Sequence, residues 1–383
     1  MEFSNIHYVA FWGFIVALAW GAIAQRTHFC PMGAVSDWVN MGNTNRLRAW
    51  FLAIGIAILG AQLLTIWTPI DLRKSIYLTT NFGWLGHLLG GLLFGVGMTL
   101  GSGCGQRTLV RVGGGNLKSL VVLLVLAITA YMTLAGLIAL VRLNVIEVTN
   151  LNLTQYQMPD QAIYSFLAKA GGLDNARVLR WAVAALFGIG LVIFALKSAE
   201  FRRSVDNLLA GIAIGLFVVA GWYITGVIGF DDFEPAPLTS NNFVGPVADS
   251  LLYLMTYTGA TITFGIAAAF GVLLGSFVYA VATGKFRVET FASRSDMLAH
   301  LGGGALMGVG GVMALGCTVG QGITGMSTLA LGSLLTLVAI IFGSAVTMKV
   351  QYHLLDQPGF WRALRLALAE VRLLPSPRKP KTA

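Results

Sequence analysis

The sequence predicts an all-α polytopic membrane protein with about nine transmembrane helices, short broken or re-entrant helices between them, and an inverted internal repeat. Three observations carry this. The 383 residues are 56% hydrophobic and 11% charged, with a mean hydropathy of +0.76, whereas soluble domains carry roughly 25% charged residues. Nine apolar stretches approach the ~20 residues a helix needs to cross a bilayer. Residues 84–113 and 297–326 match without a gap at an offset of 213. In that match His87 falls on His300, Gly90 on Gly303, Gly91 on Gly304, Gly95 on Gly308, Gly97 on Gly310, Gly103 on Gly316 and Cys104 on Cys317. Two of only three cysteines thus share one duplicated position.

The spans fall at 6–25, 48–68, 84–102, 119–141, 178–196, 208–229, 261–283, 298–315 and 328–348. No basic segment precedes the first and no small-residue cleavage site follows it, so no cleavable signal peptide is expected. Span 1 ends in Gln25-Arg26-Thr27-His28-Phe29-Cys30-Pro31. Proline favours the first helical turn, which makes Cys30 the N-cap of a short helix over 31–41. Span 3 carries Gly91 and Gly95, spaced for close helix approach. It breaks at Cys104, and a short segment follows over 105–113. Residues 143–176 form an excursion with an amphipathic piece near 159–170. Span 6 leads to an acidic loop (Asp231, Asp232, Glu234), after which Gly245-Pro246 opens a short segment over 246–258, aligned with Cys30-Pro31 at an offset of 215. The tail over 358–374 places Phe360, Trp361, Leu364, Leu368 and Val371 on one face beside Arg362, Arg365 and Arg372, as a basic interfacial helix does; disorder is expected from Pro375.

Spans 7, 8 and 9 match spans 2, 3 and 4. The units are 1–142 (first repeat, spans 1–4), 143–206 (excursion and linking span 5), 207–349 (second repeat, spans 6–9) and 350–383 (interfacial helix and basic tail). An odd linking span inverts the second copy, an arrangement that puts transporter sites where helices break near the midplane. Sorting the Lys and Arg by alternate loops puts 19 on one side and 6 on the other. The positive-inside rule then sets the N-terminus outside and the C-terminus in the cytoplasm. The net charge of +9 follows topology and does not point to nucleic acid. Three distant cysteines make neither a disulfide framework nor a metal site; no cofactor is expected.

The chemistry concentrates at the breaks. Helix N-termini present free N–H groups and partial positive charge to an anion. Of the four short-segment starts, three carry a cysteine (Cys30, Cys104, Cys317) and the fourth carries Gly245. A thiol is a weak, soft donor, suited to an anion with a terminal sulfur. No Asp or Glu occurs between Arg73 and Ile146 or between Met297 and Leu355, where a cation carrier would place carboxylates. Gln106, Thr318 and Gln321 supply hydrogen bonds to an oxyanion or satisfy irregular backbone. Arg107 faces substrate or cytoplasm. Asp37 orients Arg26 or caps the helix after Cys30. A single membrane cysteine is usually a small packing residue, and the glycine pairs read as close packing; the duplicated cysteine position is what favours a functional reading. His87 and His300 read as neighbours at helix starts rather than proton carriers.

These motifs, QRTHFC at 25–30, GSGCGQ at 101–106 and LGCTVGQG at 315–322, resemble the YeeE/YedE family of membrane proteins, whose characterised function is thiosulfate uptake. The resemblance spans nearly the whole chain and departs at Arg107 and in the 143–176 excursion. It implies an hourglass of nine spans plus short inserted helices in a bacterial inner membrane. It also implies that Cys30, Cys104 and Cys317 pass thiosulfate through a narrow middle. Read from their places at the breaks, Gly103, Gly105, Gly316, Gln106, Thr318, Gln321, Arg26 and Gly245 are expected to complete the translocation site. A small sulfur-carrier protein of the TusA/SirA type is the implied cytoplasmic partner. The function expected is therefore transport, not enzymatic. Transport of selenium or other reduced sulfur compounds is one alternative. Another is a membrane-embedded sulfurtransferase that forms a cysteine persulfide with His28 as base, and a third is a structural subunit. No phosphate-binding loop is present to supply ATP hydrolysis.

Overall fold

In the computed structural model, residues 5–172, 176–231, 236–356 and 359–370 are described. They form α1 (Asn5–Thr27), α2 (Pro31–Met41), α3 (Asn45–Trp67), α4 (Trp84–Leu100), α5 (Gly105–Gly113), α6 (Leu117–Leu134), α7 (Leu137–Val141) and α8 (Ile163–Gly171). There follow α9 (Ala176–Leu196), α10 (Ala199–Arg203), α11 (Val205–Tyr223), α12 (Gly245–Met255), α13 (Phe264–Ala282), α14 (Arg294–Met313), α15 (Leu331–Asp356) and α16 (Phe360–Glu370). The expected acidic residues Asp232 and Glu234, and the tail from Val371, lie outside the described residues.

Local chemistry explains the ends. Pro31 opens α2, and Gly42, at φ 68°, closes it by donating to the carbonyls of Asp37 and Trp38. Asn116 caps α6 by accepting from Ser119 N at 2.8 Å, and Ser293 caps α14 by accepting from Asp296 N at 3.1 Å. The expected span over 119–141 is shorter than read: α6 stops at Leu134, and Gly136 separates it from α7.

Among the described residues, eight helical stretches are long and apolar enough to cross a bilayer, one fewer than the sequence suggests. The difference is α14. It is 20 residues long, but Arg294, Asp296, His300 and six glycines lower its hydropathy. It packs against both α4 and α6, with His300, Gly303, Gly304, Met307, Gly308, Gly310 and Gly311 buried. A helix that faces protein rather than lipid has no need of an apolar circumference.

The main helix contacts form a paired set. Exchange α1 with α11, α2 with α12, α3 with α13, α4 with α14, α6 with α15, and α5 with the π-helical turn at Gly320–Gly325. The contact of α1 with α13 then becomes that of α11 with α3, α4 with α15 becomes α14 with α6, and α4 with α14 maps onto itself. At the α4–α14 crossing the backbones touch. A Cβ added at Gly90 would lie 2.6 Å from Gly310 O, and one at Gly97 would lie 2.7 Å from Gly303 O. Both are closer than real Cβ atoms come, so only glycine permits this approach. Gly91 and Gly95 meet the backbone of α15, and Gly304 and Gly308 that of α6, so all four are packing residues.

Leucine at Gly97 or Gly310 is expected to force α4 and α14 apart and to cost about 1–3 kcal/mol. Thermal melting of the purified protein in detergent reads this out. Gly302→Leu is the control, because no atom lies within 4 Å of a Cβ there; equal melting temperatures for all three variants would contradict the crossing.

Candidate functional site

Each cysteine follows a turn that most residues avoid. Among the described residues, five non-glycine residues have positive φ, and three of them stand two places before a cysteine: His28 (φ 53°), Ser102 (φ 56°) and Leu315 (φ 60°). The left-handed conformation costs on the order of 1–3 kcal/mol outside glycine and survives only where neighbours impose it. Those neighbours are visible. Arg46 donates to His28 O at 2.9 Å and pairs with Asp37 at 3.3 Å. Arg111 donates to Ser102 O at 2.6 Å. The Gln321 amide donates to Ala314 O, next to Leu315.

The turns deliver the thiols to one place. Cys30, 6% exposed, and Cys104 and Cys317, both fully enclosed, are free cysteines. Cys30 caps α2, its Sγ accepting from Gly33 N at 3.3 Å. Cys104 is the N-cap residue of α5, and its side chain makes no capping bond. Cys317 departs from expectation: the segment after it opens as the π-helical turn rather than an α-helix, and its Sγ accepts from Gly320 N at 3.4 Å. The Cys30 thiol neighbours Cys104, and Cys104 in turn neighbours Thr318 and Cys317.

The surrounding polar atoms are enclosed without partners. Both amide atoms of Gln106, Thr318 Oγ1, Tyr77 Oη and Arg107 Nη1 lack a hydrogen bond. Tyr77 lies within electrostatic range of Cys317, and Arg107 within that of Cys30 and Cys104. Buried polar groups are nearly always paired, so these atoms keep hydrogen-bonding capacity that the protein itself does not use. Gln321 differs: its oxygen accepts from Ser333 and its nitrogen serves Ala314, which fulfils its backbone role. Gly103 and Gly316 lie in the turns beside the thiols, where a Cβ at Gly316 would meet Gln321 N at 3.0 Å, and Gly105 opens α5 directly after Cys104. Arg26 is not in the group; its side chain, half exposed, pairs with Asp206 at 3.6 Å, so its place at a helix end turned it outward. Asp37 serves Arg46, not Arg26.

Two residues escape a sequence reading. Asn242 Oδ1 accepts from Phe243 N at 2.7 Å and Val244 N at 3.3 Å, and the Cys317 thiol donates to it at 3.8 Å. Asparagine a few residues ahead of Gly-Pro is a turn signal that could have found it. Tyr77 lies in the polar loop after α3, where no pattern signals burial.

Cavities open at both ends of this group. A cavity of about 390 Å³ lies by Gln25 near the C-terminal end of α1 and includes Arg107, Arg111, Lys118, Lys285 and Arg287. One of about 500 Å³ lies by Ile6 and Val9 at the opposite end of α1 and includes Asn242 and Gly245. The open space at Gly245, with no atom within 4 Å of a Cβ, forms part of that second cavity. Gln25 stands 16 to 19 residues along α1 from Val9 and Ile6, which separates the two by about 24–29 Å along the helix axis.

This architecture defines a multi-pass membrane protein with opposed cavities and an enclosed polar middle. A family model described as sulphur transport matches residues 26–346, and the chain belongs to that family. It is similar to the thiosulfate transporter TsuA of Escherichia coli (strain K12), 25% identical over 348 residues, which cover 86% of this chain and 91% of the relative. It is also similar to the thiosulfate transporter TsuA of Spirochaeta thermophila (strain ATCC 700085 / DSM 6578 / Z-1203), 27% identical over 342 residues, 87% of this chain and 96% of the relative.

Native protein in detergent is expected to resist a bulky maleimide and to take up three equivalents only after unfolding. Mass spectrometry counts the adducts. Modification of Cys104 or Cys317 in the folded protein at the rate of a free thiol would contradict their enclosure.

Proposed function

We propose that this protein takes up thiosulfate, or a close inorganic sulfur anion, across a bacterial inner membrane. The N-terminus lies outside and the C-terminus inside, and 1–142 and 207–349 are the two halves of an inverted repeat joined by 143–206. The observation that carries this reading is the run Asn242, Cys317, Thr318, Cys104 and Cys30 between two opposed cavities, flanked by enclosed polar atoms without partners. That both relatives are thiosulfate transporters supports the substrate.

The anion enters through the cavity at Asn242 and Gly245 and leaves through the basic cavity at Arg107. Thiols address its terminal sulfur as weak S–H donors. Gln106, Thr318 and Tyr77 hold polar atoms free for its oxygens, replacing the water it sheds. The cytoplasmic recipient is a small sulfur-carrier protein or the free cytoplasmic pool. A sulfurtransferase would need a base at the nucleophilic cysteine. The Nδ1 of His28 engages Arg107 Nη2 at 3.3 Å instead, which weighs against that reading and for a transporter without its own chemistry.

Uptake of radiolabelled thiosulfate into proteoliposomes tests this. Cys104→Ala and Cys317→Ala are each expected to slow uptake about tenfold or more, the equivalent of one lost contact of ~1.4 kcal/mol in the narrowest part. Asn242→Ala is expected to slow it less. Wild-type rates in Cys104→Ala would overturn the thiol pathway.

A further inference from the structure

The basic cavity beyond Cys30 holds more positive charge than its own acids satisfy. Glu289 and Asp296 are the carboxylates on its wall, and both are engaged. Glu289 accepts from Asn116. Asp296 accepts from Lys118 at 2.8 Å and pairs with His300 at 3.0 Å. Arg111 is spent on the Ser102 carbonyl. Arg107, Lys285 and Arg287 remain, and among the described residues none of them pairs with a carboxylate.

Arg107 is the unusual one. It sits in the first turn of α5, beside Cys30. One end of its guanidinium is held by His28, whose Nδ1 lies 3.3 Å from Nη2. The other end, Nη1, is enclosed and has no acceptor. A guanidinium always carries its proton and donates in a fixed fork, so this N–H group has no way to become neutral. Arg107 lines the cavity while Nη1 itself is shielded, so an acceptor that enters from the cavity and draws the side chain toward it would complete the bonding.

We propose that Arg107, steadied by His28 and helped by Lys285 and Arg287, forms a second anion station of a different chemical character from the thiols. Thiols suit a terminal sulfur; a guanidinium fork suits oxygens. The station therefore takes the oxygen end of a doubly charged tetrahedral sulfur oxyanion and does not require a terminal sulfur. Its role as an exit rests on the transport reading, but its existence does not. It follows that sulfate, which lacks the terminal sulfur, binds at this station without using the thiols and competes there from the cavity side.

The test uses purified full-length protein in detergent, titrated with sodium sulfate and, at matched ionic strength, with sodium chloride. Thermal stabilisation gives the half-saturating sulfate concentration. Arg107→Gln is expected to raise that concentration about tenfold or more, Arg107→Lys by less, and Cys317→Ala not at all. Arg287→Gln, on the cavity wall and away from the thiols, is expected to weaken sulfate in the same direction and stands in should Arg107→Gln fail to fold. No sulfate effect beyond chloride, or identical titrations for wild type, Arg107→Gln and Arg287→Gln, overturns the station. Thiosulfate uptake measured on the same preparations separates the two readings. Uptake without sulfate binding removes the station alone, and sulfate binding without uptake removes the transport reading alone.

Discussion

The structure depends on a contact between two backbones. Where α4 crosses α14, Gly90 faces the carbonyl of Gly310 and Gly97 that of Gly303, and no side chain fits between. Lipid offers no hydrophobic drive for helices to associate, so close packing of small residues supplies it. Both helices end soon after the crossing, and both ends lead within a few residues to a cysteine. The contact thus sets how far apart Cys104 and Cys317 stand. α1 and α13 repeat the device: a Cβ at Gly271 would lie 2.7 Å from Phe14 O. This second crossing brings the end of α1, and with it Cys30, against the same interior.

Close packing alone would leave the thiols buried and idle. The left-handed turns at His28, Ser102 and Leu315 convert a helix end into a display of the residue two places on. Arg46, Arg111 and Gln321 hold those turns by their carbonyls. These polar groups are costly to bury, and each has a partner. The unpaired atoms at Gln106, Thr318 and Tyr77 stand out against that background of satisfied irregular backbone.

Much of this was legible in the sequence, for reasons specific to particular residues. Pro31 after Cys30 placed the start of α2, and the gapless duplication around Cys104 and Cys317 placed both breaks, because proline and glycine act locally. The amphipathic tail likewise gave α16 and the excursion gave α8. What was not legible depended on direction and distance. Arg26 lies four residues before Cys30, yet it turns outward to Asp206, which sequence spacing does not reveal. The α14 helix fell short of a membrane hydropathy because its burial is against protein. Asn242 reaches Cys317 across 75 positions of chain, and Tyr77 is enclosed by a loop with no periodicity. The segment after Cys317 coils as a π-turn around Gly320, Gly322 and Gly325, where glycine content tells of permissiveness but not of the turn chosen.

The transport proposal requires that an intact sulfur anion pass the three thiols. The measurement that tests it most directly is uptake of thiosulfate carrying a different isotope on each sulfur, into proteoliposomes containing only this protein. Both labels are expected to enter together in a one-to-one ratio, with neither remaining on the protein. Retention of the terminal sulfur's label on a cysteine, with the other label left outside, would contradict it and establish sulfur transfer instead.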